Sequence, residues 1–382
     1  MKRRMLLKTG AAAIAVVAGS GVIWANTRTP TKALAPWRDA EQGFGDVRLN
    51  CLAYAILAPS PHNRQPWRVE LTGDKGMELY CDLDRRLPET DPFDRQITIG
   101  LGCFLELLRM AAANLGYKAV ITPFPDGEPA SDAVLDNRRI ASITLEFSKV
   151  TKDPLFEQVL SRRSTKEAFA LEQAVSADTL QQLTSIDAHH QVSGVVEVAQ
   201  TAALKQTIYE GMAIEFGARS TLEESAKLMR FGKAQIERSP DGIDIGGPMM
   251  EAFITAGILT RESFSDPQGA LVLDYLNRVK AMFETSKGFV WVASHGNSRS
   301  DQLKAGADYL KLNLQAGALG LAMQPVSQAL QEYPAMAGLY QKAHKQLNVA
   351  QPARLQMLAR IGYAGQPSPS PRWAVESVIS VA

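Results

Sequence analysis

Apolar residues in this chain recur mostly at helical spacing, and one such pattern occurs twice. The stretch Gly102 to Gly116, shifted by 204 positions, falls on Gly306 to Gly320. Gly102 then meets Gly306, Leu108 meets Leu312, Ala112 meets Ala316, and Leu115-Gly116 meets Leu319-Gly320. In the second copy Leu303, Ala307, Leu310 and Leu314 mark one helical face at intervals of three and four. Each stretch ends in Leu-Gly, where glycine stops a helix, and runs into a short extended segment. Each is followed later by a strand candidate, Ile143 to Phe147 in the first copy and Ala359 to Tyr363 in the second.

Two related halves follow from this order, residues 37–150 and residues 153–382. Asp153-Pro154 opens the second half as an N-cap with proline at the first helical position. Between its early elements and the strand candidate Phe289 to Ser294 lies a helical insertion, residues 204–285. It contains Ser239-Pro240-Asp241-Gly242 and Ile245-Gly246-Gly247-Pro248, which are turn and hinge chemistry. A loop of that length without elements would be unusual, so the expectation is several helices with a movable cover at the glycines. The fold class expected is α+β, a three-layer α/β/α arrangement. A mixed sheet in each half and long helices between the halves would form a pseudo-dimer within one chain.

Composition narrows the chemistry. The 382 residues carry 41 basic and 40 acidic side chains with 46% hydrophobic residues, enough for one large or two medium domains. The balance gives no electrostatic case for nucleic acid, and no basic cluster of that kind stands outside the first residues. Cys51, Cys81 and Cys103 lack C-x-x-C spacing, which argues against a zinc site or a disulfide framework. His189-His190 has no carboxylate-rich motif beside it and reads as a surface or helix-end pair. No Ser-His-Asp, Cys-His or paired-carboxylate constellation is present, so no catalytic side chain and no metal ligand is assigned.

The chain opens Lys2-Arg3-Arg4-Met5-Leu6-Leu7-Lys8, followed by an uncharged apolar run from Gly10 to Ala25. This resembles a twin-arginine export signal over residues 1–30. The run is short for a membrane span, which takes about 20 apolar residues. Ile23-Trp24-Ala25 is a poor small-x-small cleavage site, so an anchor that stays attached is an open alternative. Either way the expected location is periplasm or cell envelope.

Ala58-Pro-Ser-Pro-His-Asn-Arg-Gln-Pro-Trp67 follows a helix-like run, Leu49 to Leu57, and precedes a strand. Prolines, Pro61 among them, stiffen the loop, so Ser60, His62, Asn63 and Gln65 present donors and acceptors in fixed directions, suited to a flat ring with polar edges. Ser161-Arg162-Arg163-Ser164-Thr165-Lys166 groups two guanidiniums, a hydroxyl and an ammonium, chemistry that suits a phosphate.

The first loop resembles the A-P-S-x-x-N-x-Q-P-W stretch of the nitroreductase family, whose members bind FMN at the interface of a homodimer. Arg162, Arg163, Ser164 and Lys166 resemble the basic motif that holds the FMN phosphate there. Pro371-Arg372 resembles the segment whose arginine closes the same pocket, and Gln324, Pro325 and Val326 align with the segment near flavin N5. Each half holds the part the other lacks, implying one composite flavin site. That split, and the stretch Asp84 to Pro92 leading into Gly100-Leu101-Gly102, resembles the Acg-like FMN-binding branch with two fused units. The resemblance implies an FMN-dependent oxidoreductase passing hydride from flavin N5 to a planar acceptor such as a nitroaromatic or quinone. It equally allows an FMN-binding storage or sequestration protein whose insertion covers the flavin. The electron donor is left open, since there is no G-x-G-x-x-G fingerprint. The expected state is a monomer containing its own pseudo-dimer. Arg3→Lys combined with Arg4→Lys should block export while leaving flavin affinity unchanged, as cell fractionation and flavin titration would show.

Overall fold

The computed structural model describes residues 27–380, so the twin-arginine motif, its apolar run and its cleavage site lie outside the described residues. Helices α1 (Thr31–Leu34), α2 (Pro36–Gln42) and α3 (Val47–Ala55) lead into β1 (Trp67–Thr72) and β2 (Gly76–Cys81). Then come α4 (Arg95–Asn114), β3 (Tyr117–Pro123) and β4 (Arg139–Phe147). The second half begins with α5 (Ala177–Thr184) and β5 (Gln191–Val195). An insertion follows: α6 (Val198–Gly217), α7 (Arg219–Leu228), β6 (Met229–Phe231), α8 (Gly232–Arg238), β7 (Ile243–Ile245), α9 (Pro248–Thr255) and α10 (Ala270–Glu284). The half closes with β8 (Gly288–Ser294), α11 (Arg299–Ala318), β9 (Ala322–Pro325), α12 (Ala337–Gln346), β10 (Arg354–Gly362) and β11 (Ile379–Ser380).

The two sheets share one topology. The first runs β1-β2-β4-β3, the second β5-β8-β10-β9, antiparallel throughout, with α4 and α11 in equivalent crossovers. A mixed sheet in each half was expected, but only the first is mixed, because β11 adds parallel to β1 at Val69–Ile379 and Glu70–Ser380. The first half cannot return the exchange, since its own tail runs on into the second half. Asp153 does cap Leu155 N–H, but the element it opens is a short 3-10 turn, Pro154–Gln158.

Burial explains the layering. Val290 and Val292 face a core shared with α4, α11 and the first sheet, while Phe289 and Trp291 face the insertion, as the two-residue period of a strand requires. The second sheet thus has helices on both faces. Local chemistry starts the two long helices differently. Ser298 and Asp301 form a capping box on α11. At α4 the Asp91 carboxylate accepts the Gln96 and Ile97 N–H groups, and its burial pushes the pKa up to about 6.

Helices α4 and α11 cross backbone to backbone at the glycines that define the repeat. A Cβ on Gly102 would lie 2.0 Å from Leu303 O, and one on Gly306 would lie 2.0 Å from Ile99 O. These contacts are reciprocal at the same 204-residue shift, as at a twofold axis. Arg95 and Arg299 repeat the relation. Arg95 donates across to Leu330 O, Gln356 O and Glu332, and Arg299 donates across to Phe93 O, Ala133 O and Thr98. Gly102→Ala or Gly306→Ala should therefore force the helices apart and cost about 1–3 kcal/mol. Thermal melts would show the drop, whereas Gly45→Ala, with open space around its Cβ position, should leave the midpoint unchanged.

Candidate functional site

Helix α3 ends where the Ala58–Trp67 loop begins. Three of the loop's non-glycine residues, His62, Asn63 and Gln65, take left-handed backbone angles, at φ 47°, 53° and 49°. Such conformations cost on the order of 1–3 kcal/mol each and persist only where surroundings fix them. Ser60 Oγ accepts Gln65 N–H at 2.9 Å, and Gly100 of α4 leaves room for Pro61 behind the loop.

Two buried arginines from distant parts of the second half close on the end of α3. Arg162 donates to Leu57 O at 3.0 Å and to Asn313 Oδ1 of α11 at 3.1 Å. Arg372 donates to Leu57 O and Ala58 O, both at 3.1 Å, and to Asn63 Oδ1 at 2.7 Å. The structure thus sets Arg162 and Arg372 within two or three residues of Ser60 in the chain they contact. No carboxylate lies within ion-pair distance of either guanidinium among the described residues, and the Nε of each is buried without a partner. Burial pushes Arg372 down to about 9, helped by the nearby Arg162 charge, and Arg162 down to about 10. An anion placed between them would reverse both effects.

Trp37 forms one wall of this cradle. The Arg163, Arg372 and Arg162 guanidiniums stand 4.9, 5.3 and 5.9 Å from its ring centre. Arg163 itself is turned to Pro367 O and Leu160 O, Ser164 is half-buried, and Lys166 is exposed. Thr165 N–H donates to Met323 O, which lays the basic stretch beside β9. There Gln324 Oε1 accepts from Arg360 Nε at 2.7 Å, Pro325 pairs with Ala359, and Val326 N–H donates to Leu358 O. The structure thus brings Arg162 and Arg372 to the loop, and it sets Thr165 beside β9 while the Gln324–Val326 contacts named here are to β10.

The insertion closes on the same loop. Gln65 Nε2 donates to Pro240 O at 2.6 Å and its Oε1 accepts Trp373 N–H at 3.0 Å. Asn63 Nδ2 donates to Pro371 O at 3.1 Å, and Asn63 O accepts Gly242 N–H at 3.2 Å. Beside them Asp241 is buried between Arg64 and Arg230. His62 Nε2 stands 3.7 Å from the buried Glu215 carboxylate of α6. The groups expected at a ring edge are thus engaged by Pro240 and the C-terminal segment.

Sequence reasoning missed Trp37 and Asn313, neither of which belongs to a local motif, and it read Asp241 only as part of a turn, not as the partner of Arg64 and Arg230. It also missed the role of His189 and His190, whose backbone N–H groups both donate to Asp308 of α11. Cys51, Cys81 and Cys103 are free and buried.

No family model matches the chain. It is 24% identical over 354 residues to a Mycobacterium tuberculosis H37Rv protein described as "Putative NAD(P)H nitroreductase acg", covering 88% of this chain and 96% of that one. A second protein of that strain, "Putative NAD(P)H nitroreductase Rv3131", is 37% identical over 112 residues, 29% of this chain and 28% of the relative. Among solved structures, the FMN-dependent nitroreductase NfnB of Mycobacterium smegmatis in complex with NADPH aligns at 16% identity. That alignment covers 60% of this chain and 98% of the other, at a TM-score of 0.37, too partial a likeness to bear on the fold. Along most of its length, then, the chain is similar to one protein described as an NAD(P)H nitroreductase, and over a shorter stretch to a second.

Proposed function

We propose that this protein is an FMN-dependent oxidoreductase of nitroreductase type, working in the cell envelope on a planar acceptor such as a nitroaromatic or quinone. The observation that carries the reading is the pair of buried guanidiniums of Arg162 and Arg372, neither in ion-pair contact with a carboxylate among the described residues and each with an unpartnered Nε. Buried cations are ordinarily paired, and a phosphate supplies that pairing with two charges and fork-compatible oxygens. The similarity over 88% of the chain to a protein described as "Putative NAD(P)H nitroreductase acg" supports the same reading.

In this assignment Arg162 and Arg372 hold the phosphate, with Arg163, Ser164 and Lys166 at its rim. Ser60, Pro61, His62, Asn63 and Gln65 meet the ring from the first half, and Gln324, Pro325 and Val326 from the second. FMN, once bound, supplies the two-electron chemistry. The chain's own work is to bind, to orient and to exclude water. Trp37 screens the guanidiniums from solvent, and Asp241 fixes the insertion over the loop.

The closed insertion favours the second reading, an FMN-holding protein with a covered flavin. Pro240 O occupies Gln65 Nε2, and the buried Arg64–Asp241–Arg230 cluster holds that segment down. The readings separate on turnover with a quinone, using NADPH and then dithionite as reductant.

Purified protein should carry about one FMN per chain by absorbance, and a colourless preparation that takes up no added FMN would sink the proposal. Hydrogen bonds to charged groups contribute roughly 1.5–3 kcal/mol. Arg162→Ala or Arg372→Ala should therefore weaken FMN binding about tenfold or more. Arg372→Lys should lose less, because lysine keeps the charge but not the fork. Wild-type affinity in both alanine variants would refute the phosphate assignment. Asp241→Asn should loosen the insertion and speed flavin reduction by dithionite several-fold, as stopped-flow absorbance would report, whereas an unchanged rate would mean the insertion does not gate access.

A further inference from the structure

Helix α11 carries a buried hydroxyl for which the fold supplies no partner. Tyr309 is 2% exposed, and its phenol oxygen meets no hydrogen-bond partner among the described residues. It lies one turn before Asn313, so the two side chains share a face of the helix. Asn313 Oδ1 accepts from Arg162 at 3.1 Å, and its Nδ2 donates to Arg163 O at 3.3 Å. The phenol is thereby set beside the guanidinium cradle. Burial pushes the Tyr309 phenol above its ordinary range, while the Arg162 charge and the Ser164 hydroxyl act on it in the other direction. The group stays a neutral O–H, which complements an anion and never competes with one.

The other half supplies a comparison. The shift of 204 positions sets Tyr309 against Leu105 of α4, which is buried and apolar. Packing at the helix crossing therefore does not call for a hydroxyl. A buried hydroxyl without a partner is unfavourable, and phenylalanine would fill the same space without it. Three buried polar hydrogens thus lack partners around Arg162, on the Nε of Arg162, the Nε of Arg372 and the oxygen of Tyr309. A phosphate monoester brings three acceptor oxygens and close to two negative charges. That matches the three donors and the two guanidiniums, whereas a diester, with two such oxygens and one charge, leaves a donor over.

We infer that Tyr309 is a third donor in the anion cradle, its hydroxyl bonding a phosphate monoester held between Arg162 and Arg372. The inference rests on the FMN reading proposed above and extends it to a residue outside every local motif. Helix α11 then carries both Asn313, which aims Arg162, and a group that meets the ligand directly. Affinity and stability should consequently respond to loss of this hydroxyl in opposite directions.

The test compares FMN with riboflavin, which has the same ring and no phosphate, on the full chain freed of flavin. Tyr309→Phe should weaken FMN binding about tenfold and change riboflavin binding by less than about twofold. Without flavin its melting midpoint should stay level or rise, since the unpaired hydroxyl is gone. The phosphorus-31 resonance of bound FMN should move in the same variant. Tyr333→Phe removes another buried, unpartnered hydroxyl, on the core of the insertion. It should change neither the ratio of FMN to riboflavin affinity nor the phosphorus resonance. Wild-type FMN affinity in Tyr309→Phe overturns the inference and leaves the cofactor reading standing. Equal losses for FMN and riboflavin put the hydroxyl at the ring and overturn the inference too. A wild-type chain that takes up no FMN overturns the cofactor reading itself, and the inference with it.

Discussion

The close crossing of α4 and α11 is the constraint on which the rest of the structure depends. Two helices can touch backbone to backbone only where a side chain is missing from each, and Gly102 and Gly306 provide those gaps. With the axes held that near, Cys103 Sγ reaches Gly306 O at 3.1 Å and both sheets share one hydrophobic core. Arg95 and Arg299 then find backbone carbonyls of the opposite half within reach, which fixes the rotation of each helix as well as its distance.

That crossing also sets the geometry of the candidate site. α4 backs the Ala58–Trp67 loop through Gly100, while α11 delivers Asn313 to Arg162, so the loop and the cation belong to opposite halves but share one support. Burying two guanidiniums together is unfavourable, and carbonyl oxygens at Leu57 and Ala58, with the Trp37 ring, offset only part of that cost. The remainder is the ground on which an anion is proposed there. In the same region the left-handed backbone of His62, Asn63 and Gln65 is held by contacts from three separate segments of chain.

The sequence carried the repeat because helical spacing and terminal glycines survive in both copies. Arg95 and Arg299 obey the same shift but went unnoticed, since the residues before them, Asp94 and Ser298, start their helices by different capping chemistry. The strand candidates Ile143 to Phe147, Phe289 to Ser294 and Ala359 to Tyr363 fall on β4, β8 and β10, but the parallel addition of β11 was not legible, because two residues carry too little pattern. At the site, the loop and basic stretch were readable as local motifs. The docking of Pro240 on Gln65 was not, as it uses a backbone carbonyl that any residue could offer. Trp37 and Asp308 were hidden for a similar reason: their partners lie more than a hundred residues away.

Joining two such halves in a single chain changes what substitution can do. In a symmetric homodimer every replacement appears on both sides of the axis, so a residue that helps one site must be tolerated at the other. Here Ile99 and Leu303 already differ across the axis, and so do the two routes between the first pair of strands, a tight hairpin in one half and a five-helix insertion in the other. One half is thereby free to specialise as cover while the other keeps its loop, a division of labour that a twofold-symmetric assembly forbids.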